Sequence, residues 1–116
     1  MRLTAKMLIV EDTKLILLLP QVKYEIEWKG NVLYARKEGA YKCLCGGELF
    51  PHHVASLHRA FKGWALDVAF KCRDCHLYVV HGIPCEEDER LRRFAGKFII
   101  NEDEEIKKRM EELGYW

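Results

Sequence analysis

Up to about Gly39 the chain alternates short apolar and polar runs rich in β-branched and aromatic residues, the period-two pattern of strands that bury one face. Residues 3–10 and 15–19 flank a polar stretch, 11–14, and predict one hairpin. A second hairpin follows from a two-residue turn at Gly30 and Asn31, which pairs Lys29 with Val32, Trp28 with Leu33, Ile26 with Ala35, Glu25 with Arg36 and Lys23 with Glu38. In that register opposite charges share one face, and Trp28, Leu33, Ile26 and Ala35 share the other, as a half-buried antiparallel ladder requires.

Between residues 54 and 70 the pattern supports two elements. As a helix, Val54, Leu57 and Phe61 share a face and Gly63 lies just past the end. As a hairpin turning at Lys62 and Gly63, Phe61 pairs with Trp64, Arg59 with Leu66, Leu57 with Val68 and Ala55 with Phe70 on a largely apolar face. His58 with Asp67 and Ser56 with Ala69 then fall on a polar one. The hairpin is preferred, with residues 77–81 as a third strand.

Beyond Pro84 the pattern turns helical. Glu86 to Glu89 precede Arg90, Arg92 and Arg93, an acid-first, base-last order that complements a helix dipole, with Leu91, Phe94 and Ala95 toward the core. A second helix starts at Asn101 with Glu104 as capping partner, carries Ile106, Met110 and Leu113 as its stripe, and ends at Gly114. Glu104 with Lys108 and Glu105 with Arg109 are spaced for helical ion pairs on a solvated face. Tyr115 and Trp116 would cap the core or seed a dimer. The expected fold class is α+β: N-terminal antiparallel β-hairpins (1–40), a central metal module built on a β-hairpin (41–82) and two C-terminal α-helices (83–116), in one domain.

Composition narrows the class. The 116 residues are 49% apolar and 32% charged, which is the balance of a folded globular chain. Nineteen basic against eighteen acidic residues leave a net charge of +1, so no global field draws the protein to nucleic acid or anionic lipid, and binding of that kind needs a local patch. The longest apolar run, 15–19, is far short of the roughly 20 residues of a membrane span, and no cleavage-site pattern follows it. These features point to a soluble cytoplasmic protein.

The chemistry is concentrated in the cysteines. Cys43-Leu44-Cys45-Gly46-Gly47 and Cys72-Arg73-Asp74-Cys75 are two close pairs at nearly the spacing of a four-cysteine zinc site, and an odd total of five argues against a disulfide framework. Thiolates are soft ligands, and four in tetrahedral array satisfy Zn2+ with no open position. The glycines after Cys45 let the chain curl so that N–H groups point at sulfur. Cys85, His76 and His81 are the nearest substitutes should Cys43 or Cys45 stand aside, with His52, His53 and His58 further off.

Residues 41–82 resemble the zinc-ribbon superfamily: a cysteine knuckle, a hairpin and a second knuckle on the returning strand. The sequence departs from the usual ribbon in having one residue inside the first pair and His76, where glycine is common, after the second. A closed site of four thiolates does no chemistry on substrates, which points to a structural metal with no small-molecule substrate and no enzymatic activity, and the resemblance implies a surface that binds nucleic acid or a protein partner. Arg59, Lys62 and Trp64 at the hairpin tip, with Lys71 and Arg73, are the candidate contacts, since basic and aromatic groups grip phosphates and stack on unpaired bases. The alternative is a rubredoxin-like electron carrier with iron in the same four thiolates, flanked by Leu44 and Leu77. A metal-dependent hydrolase would need Asp67 or Asp74 as its base.

Overall fold

The computed structural model describes residues 6–39, 41–60 and 63–114. The alternating first third forms β1 (Lys6–Val10), β2 (Lys14–Leu19), β3 (Val22–Lys29) and β4 (Val32–Gly39), antiparallel neighbours in chain order. Backbone bonds between Glu11 and Lys14 close the first turn. Every pair expected of the second hairpin is present, from Lys29 opposite Val32 to Lys23 opposite Glu38. Tyr24, Ile26, Leu33 and Ala35 face inward and are buried, while Glu25 bridges Lys14 and Lys23 on the outer face.

A second, three-stranded sheet follows: β5 (Leu49–Ala60), β6 (Gly63–Cys72) and β7 (Tyr78–Cys85), again antiparallel. The 54–70 stretch is therefore a hairpin, in a register two residues from the expected one: Arg59 faces Trp64 and Leu57 faces Leu66. Two irregularities in the pairing, between Pro51 and His53 and between Val54 and Ser56, shift it further. They have the form of β-bulges, and they place Leu49, Pro51, Val54 and Leu57 on one face despite their uneven spacing.

The fold class corrects the expectation. The chain is dominated by β structure, not an α+β arrangement closed by two C-terminal helices. The first expected helix is a single turn, α1 (Glu89–Arg92), following β7, which ends at Cys85. Asp88 caps the turn by accepting from Arg90 N–H at 2.9 Å. Leu91 and Phe94 are buried as expected, but Gly96, at φ +76°, turns the chain away into β8 (Ile99–Asn101). That strand pairs parallel to β4 and makes the N-terminal sheet five-stranded, in the order β1-β2-β3-β4-β8.

Helix α2 (Glu102–Glu112) starts one residue after Asn101, close to where its sequence placed it. Met110 and Leu113, expected in a buried stripe, are exposed. The expectations for Phe61, Lys62, Tyr115 and Trp116, and for the side chains of Glu104, Glu105 and Ile106, fall outside the described residues.

The two sheets share one core. Leu15, Leu17, Tyr24, Ile26 and Leu33 from the first pack with Leu49, Val54, Leu66, Val68, Phe70 and Ile83 from the second, and Leu91, Phe94 and Ile99 close one side. Each fully buried side chain of this size contributes roughly 1.5–3 kcal/mol. Tyr24 lies 5.5 Å from Phe70 between ring centroids, and its hydroxyl donates to the Leu49 carbonyl at 2.7 Å, a polar tie between β3 and β5. Val54 exchanges backbone bonds with Gly96 and Lys97, so the segment leading into β8 stitches the edge of β5 to the first sheet. Among the described residues, no helix is long and apolar enough to cross a membrane.

Candidate metal centre

The fold brings the ends of two elements together. β6 delivers Cys72 as its last residue, fully buried at the end of the core. Its N–H donates to the Leu77 carbonyl at 2.9 Å, closing a loop that carries Cys75 back over the strand end. The segment joining the two sheets makes a second, shorter loop. There the Cys43 N–H donates to Gly47 O at 2.7 Å and Gly46 N–H to Cys43 O at 2.9 Å, above a bridge between Lys42 and Glu48. The first knuckle thus closes one residue sooner than the second, which is how a pair with one intervening residue still presents both sulfurs. Arg73 N–H donates to Glu48 O at 3.0 Å and locks the loops together.

The four thiol sulfurs of Cys43, Cys45, Cys72 and Cys75 all lie within 4.8 Å of one another. Cys43 Sγ is 3.8 Å from Cys75 Sγ, and Cys45 Sγ is 3.4 Å from Cys72 Sγ. A tetrahedron with metal–sulfur bonds of about 2.3 Å has sulfur–sulfur edges of about 3.8 Å, so the group fits one tetrahedral ion. Gly47 N–H points at Cys45 Sγ at 3.4 Å and Cys75 N–H at Cys72 Sγ at 3.5 Å. Such donors stabilise thiolate charge.

The two positions after the pairs show what the turns demand. Gly46 has φ +90°, a left-handed value that glycine adopts freely. His76, where a ribbon commonly has glycine, has φ +62° and bears the steric cost of a side chain there. Gly47 serves a different purpose: a Cβ added to it would lie 2.7 Å from Cys72 Sγ and 2.8 Å from Asp74 Oδ2. The absence of a side chain there makes room for sulfur.

Backbone donors and neighbouring sulfurs shift the thiols in opposite directions. The Cys75 N–H, with help from Asp74 N–H and the neighbouring thiols, draws Cys72 down to about 6. Leu77 N–H favours a Cys75 thiolate, but the Cys72 sulfur and burial outweigh it and push Cys75 up to about 12. At Cys45, Gly47 N–H acts downward and Cys72 upward, with a net rise. One negative charge is accommodated; further ones repel it unless a positive ion sits between them.

None of the substitutes considered for Cys43 or Cys45 belongs to the cluster. His81 faces the Tyr41 hydroxyl with its Nε2, and burial lowers its pKa. His58 pairs with Asp67 at 3.0 Å, and His52 and His53 bond to each other at 2.8 Å. His76 stands exposed on its turn, and Cys85 lies opposite Trp64, eight residues of strand from Cys72.

The expected contact residues do not form one patch. Arg59 and Trp64 face each other at the hairpin tip, whereas Lys71 and Arg73 lie at the knuckle end of β6. Seven residues of strand separate Trp64 from Lys71, about 23 Å. Lys62 is outside the described residues. Lys71 lies over the Tyr78 ring at 5.6 Å and Arg73 over the Phe50 ring at 6.0 Å. Sequence reasoning did not single out Tyr78 and Phe98, whose rings meet those of His52 and His53 beside the knuckles. The available signal was the adjacent pair His52-His53, which a regular strand would send to opposite faces.

No protein-family model, curated protein or solved structure matches the chain. The reading of the cysteine group therefore rests on its own geometry.

Proposed function

We propose that Cys43, Cys45, Cys72 and Cys75 hold one structural Zn2+ and that the protein is a non-enzymatic module binding nucleic acid or a protein partner. The observation that carries the metal assignment is the mutual approach of the four sulfurs within 4.8 Å. All four coordination positions are filled by thiolates, so the ion has no open position for a substrate and serves to staple the 41–48 segment to the end of β6. Asp67, one of the two carboxylates a hydrolase could use, is engaged by Ser56 and His58 on the second sheet, and Asp74, the other, stands exposed between Cys72 and Cys75, where four thiolate ligands leave no open position for an activated water.

The test is metal analysis of protein purified without added metal, with a Cys72→Ser variant beside it. One zinc per chain, lost together with the folded state in the variant, supports the structural role. A folded variant that has lost a measurable catalytic activity overturns it.

One observation favours a second reading, an iron electron carrier. Leu44 is wholly exposed and Leu77 is 66% exposed beside the cluster, and Cys45 itself reaches solvent, an apolar rim suited to electron exchange. Iron-loaded protein is red and zinc protein colourless, so an absorption spectrum separates the two.

A further inference from the structure

The outer face of the second sheet carries a cluster of rings at its knuckle end. Phe50, Lys71 and Tyr78 form one row across the three strands, and His53, Ala69 and Val80 form the next. Because β5 departs from regular pairing between Pro51 and His53, both adjacent histidines join this group. His52 lies 5.1 Å from Tyr78 and 5.7 Å from Phe98 between ring centroids, and His53 lies 6.2 Å and 5.9 Å from the same two. His53 lies opposite Ala69, which is only 2% exposed although it is on the outer face.

This roof is open to solvent on its far side. Tyr78 is 51% exposed, Phe98 69% and Val80 58%. A folded domain gains nothing in stability by leaving two large rings uncovered around the same histidine pair, and exposure of this kind marks a binding surface. Two cations flank it, Lys71 over Tyr78 and Arg73 over Phe50, with the exposed Asp74 next to Arg73 in the chain. Asp67, the carboxylate of this face, lies further along β6 and is held by His58 and Ser56. Glu48, near the knuckles, is paired with Lys37.

We propose that His52, His53, Tyr78 and Phe98 form a stacking platform for two or three unpaired bases of a single-stranded nucleic acid, with Lys71 and Arg73 on its phosphates. This rests on the binding-module reading above and moves its contact surface from the hairpin tip to the knuckle end of the sheet. Aromatic rings supply sequence-tolerant stacking, and the histidine and tyrosine edges keep polar atoms for base edges. A duplex, whose bases are already stacked, cannot use such a platform. A protein partner would find the same apolar area but would not need the paired cations.

The test is titration of a short fluorescent single-stranded oligonucleotide, as RNA and as DNA, against its duplex form, at low and rising salt, with metal-loaded protein. Single strands should bind more tightly than duplex. Tyr78→Ala and Phe98→Ala should each weaken binding on the order of tenfold while leaving metal content and thermal stability near wild type. With two phosphate contacts, the slope of log affinity against log salt should be about −1.4 and should fall by about half in Lys71→Ala. Binding that both ring variants leave intact overturns the platform but keeps the nucleic-acid reading. Absence of binding to any nucleic acid at low salt overturns both. Concentration-dependent self-association abolished by Phe98→Ala, seen by sedimentation in place of oligonucleotide binding, assigns the rings to a contact between copies of the chain and overturns the platform as well.

Discussion

Gly47→Ala isolates the metal centre without removing a ligand. Gly47 does not have positive φ, so alanine can adopt its backbone conformation, and the only perturbation is the new methyl group. That methyl would lie 2.7 Å from Cys72 Sγ and 2.8 Å from Asp74 Oδ2. Asp74 is exposed and its carboxylate can swing aside, but Cys72 is fully buried at the end of β6 and its sulfur has nowhere to retreat. Relief comes from displacing the first knuckle, which costs the ion one well-placed thiolate. A structural zinc site is worth roughly 10–16 kcal/mol, so a quarter share is about 3 kcal/mol, or on the order of a hundredfold in affinity.

The matched control is Gly46→Ala. A Cβ there meets nothing within 4 Å, but φ is +90°, so the variant carries backbone strain of about 1 kcal/mol with the ligands undisturbed. Zinc competition against a chromophoric chelator reads both variants. Gly47→Ala should lose far more zinc affinity than Gly46→Ala. Wild-type zinc affinity in Gly47→Ala would refute the assignment of Cys72 as a ligand against Gly47.

Two further predictions concern the surroundings of the site. His76→Gly should stabilise the metal-loaded protein by about 0.5–1 kcal/mol, because it relieves a left-handed residue at φ +62°; a lowered melting temperature or a fall in zinc stoichiometry would show that His76 contributes something besides strain. Glu48 is held below the usual carboxylate range, first by its hydrogen bond to Lys37, so its contribution is present above the unfolded value near 4.3 and lost as pH falls through the lower folded value. With 38% of the Glu48 side chain exposed, Glu48→Gln should cost under about 1 kcal/mol at neutral pH, and the gap to wild type, measured by denaturant melts at each pH, should close below about pH 4; a constant gap would refute the ion pair as its source.

The parts of the fold that were legible in the sequence are those whose signals are local. Gly30 and Asn31 specify a two-residue turn, and once the turn is placed the alternation of Trp28, Ile26, Leu33 and Ala35 leaves a single register for β3 and β4. The cysteine pairs are legible for the same reason, since each knuckle is closed within four or five residues. β5 is different. Its core-facing residues Leu49, Pro51, Val54 and Leu57 are spaced by two, three and three, because the pairing shifts twice along the strand. That average lies between the strand period of two and the helix period of 3.6, which is why Val54 and Leu57 also fit a helical face.

The C-terminal misreading has a related cause. The acid-first, base-last order of 86–93 satisfies a helix dipole, yet it is equally satisfied around one turn: Asp88 with Arg90 at 2.7 Å, and Arg92 with Glu87 at 3.6 Å and Glu89 at 3.4 Å. Charge order therefore does not set helix length. What ends the turn is Gly96, and what makes 99–101 a strand is parallel pairing with β4, a partner more than sixty residues away in sequence that no local pattern announces. The same holds for the ring cluster, where Tyr78 and Phe98 come from different elements and meet the histidines only after both sheets have formed.

Cys72 links the legible and the illegible parts. It terminates β6, is fully buried within the shared hydrophobic core, and supplies one of the four sulfurs. Cys45, which approaches it most closely, is exposed and belongs to a loop tied down by the Lys42–Glu48 bridge, the Lys37–Glu48 ion pair, the Arg73 N–H to Glu48 O bond, and Tyr41 in the core. A loop of this kind closes against a core residue at an entropic cost that its own contacts offset only in part. An ion bound by both knuckles, as proposed above, would supply the rest and tie the segment connecting the two sheets to the end of the second. Such an ion would anchor the end of β6, next to Lys71 and, across from it, Tyr78.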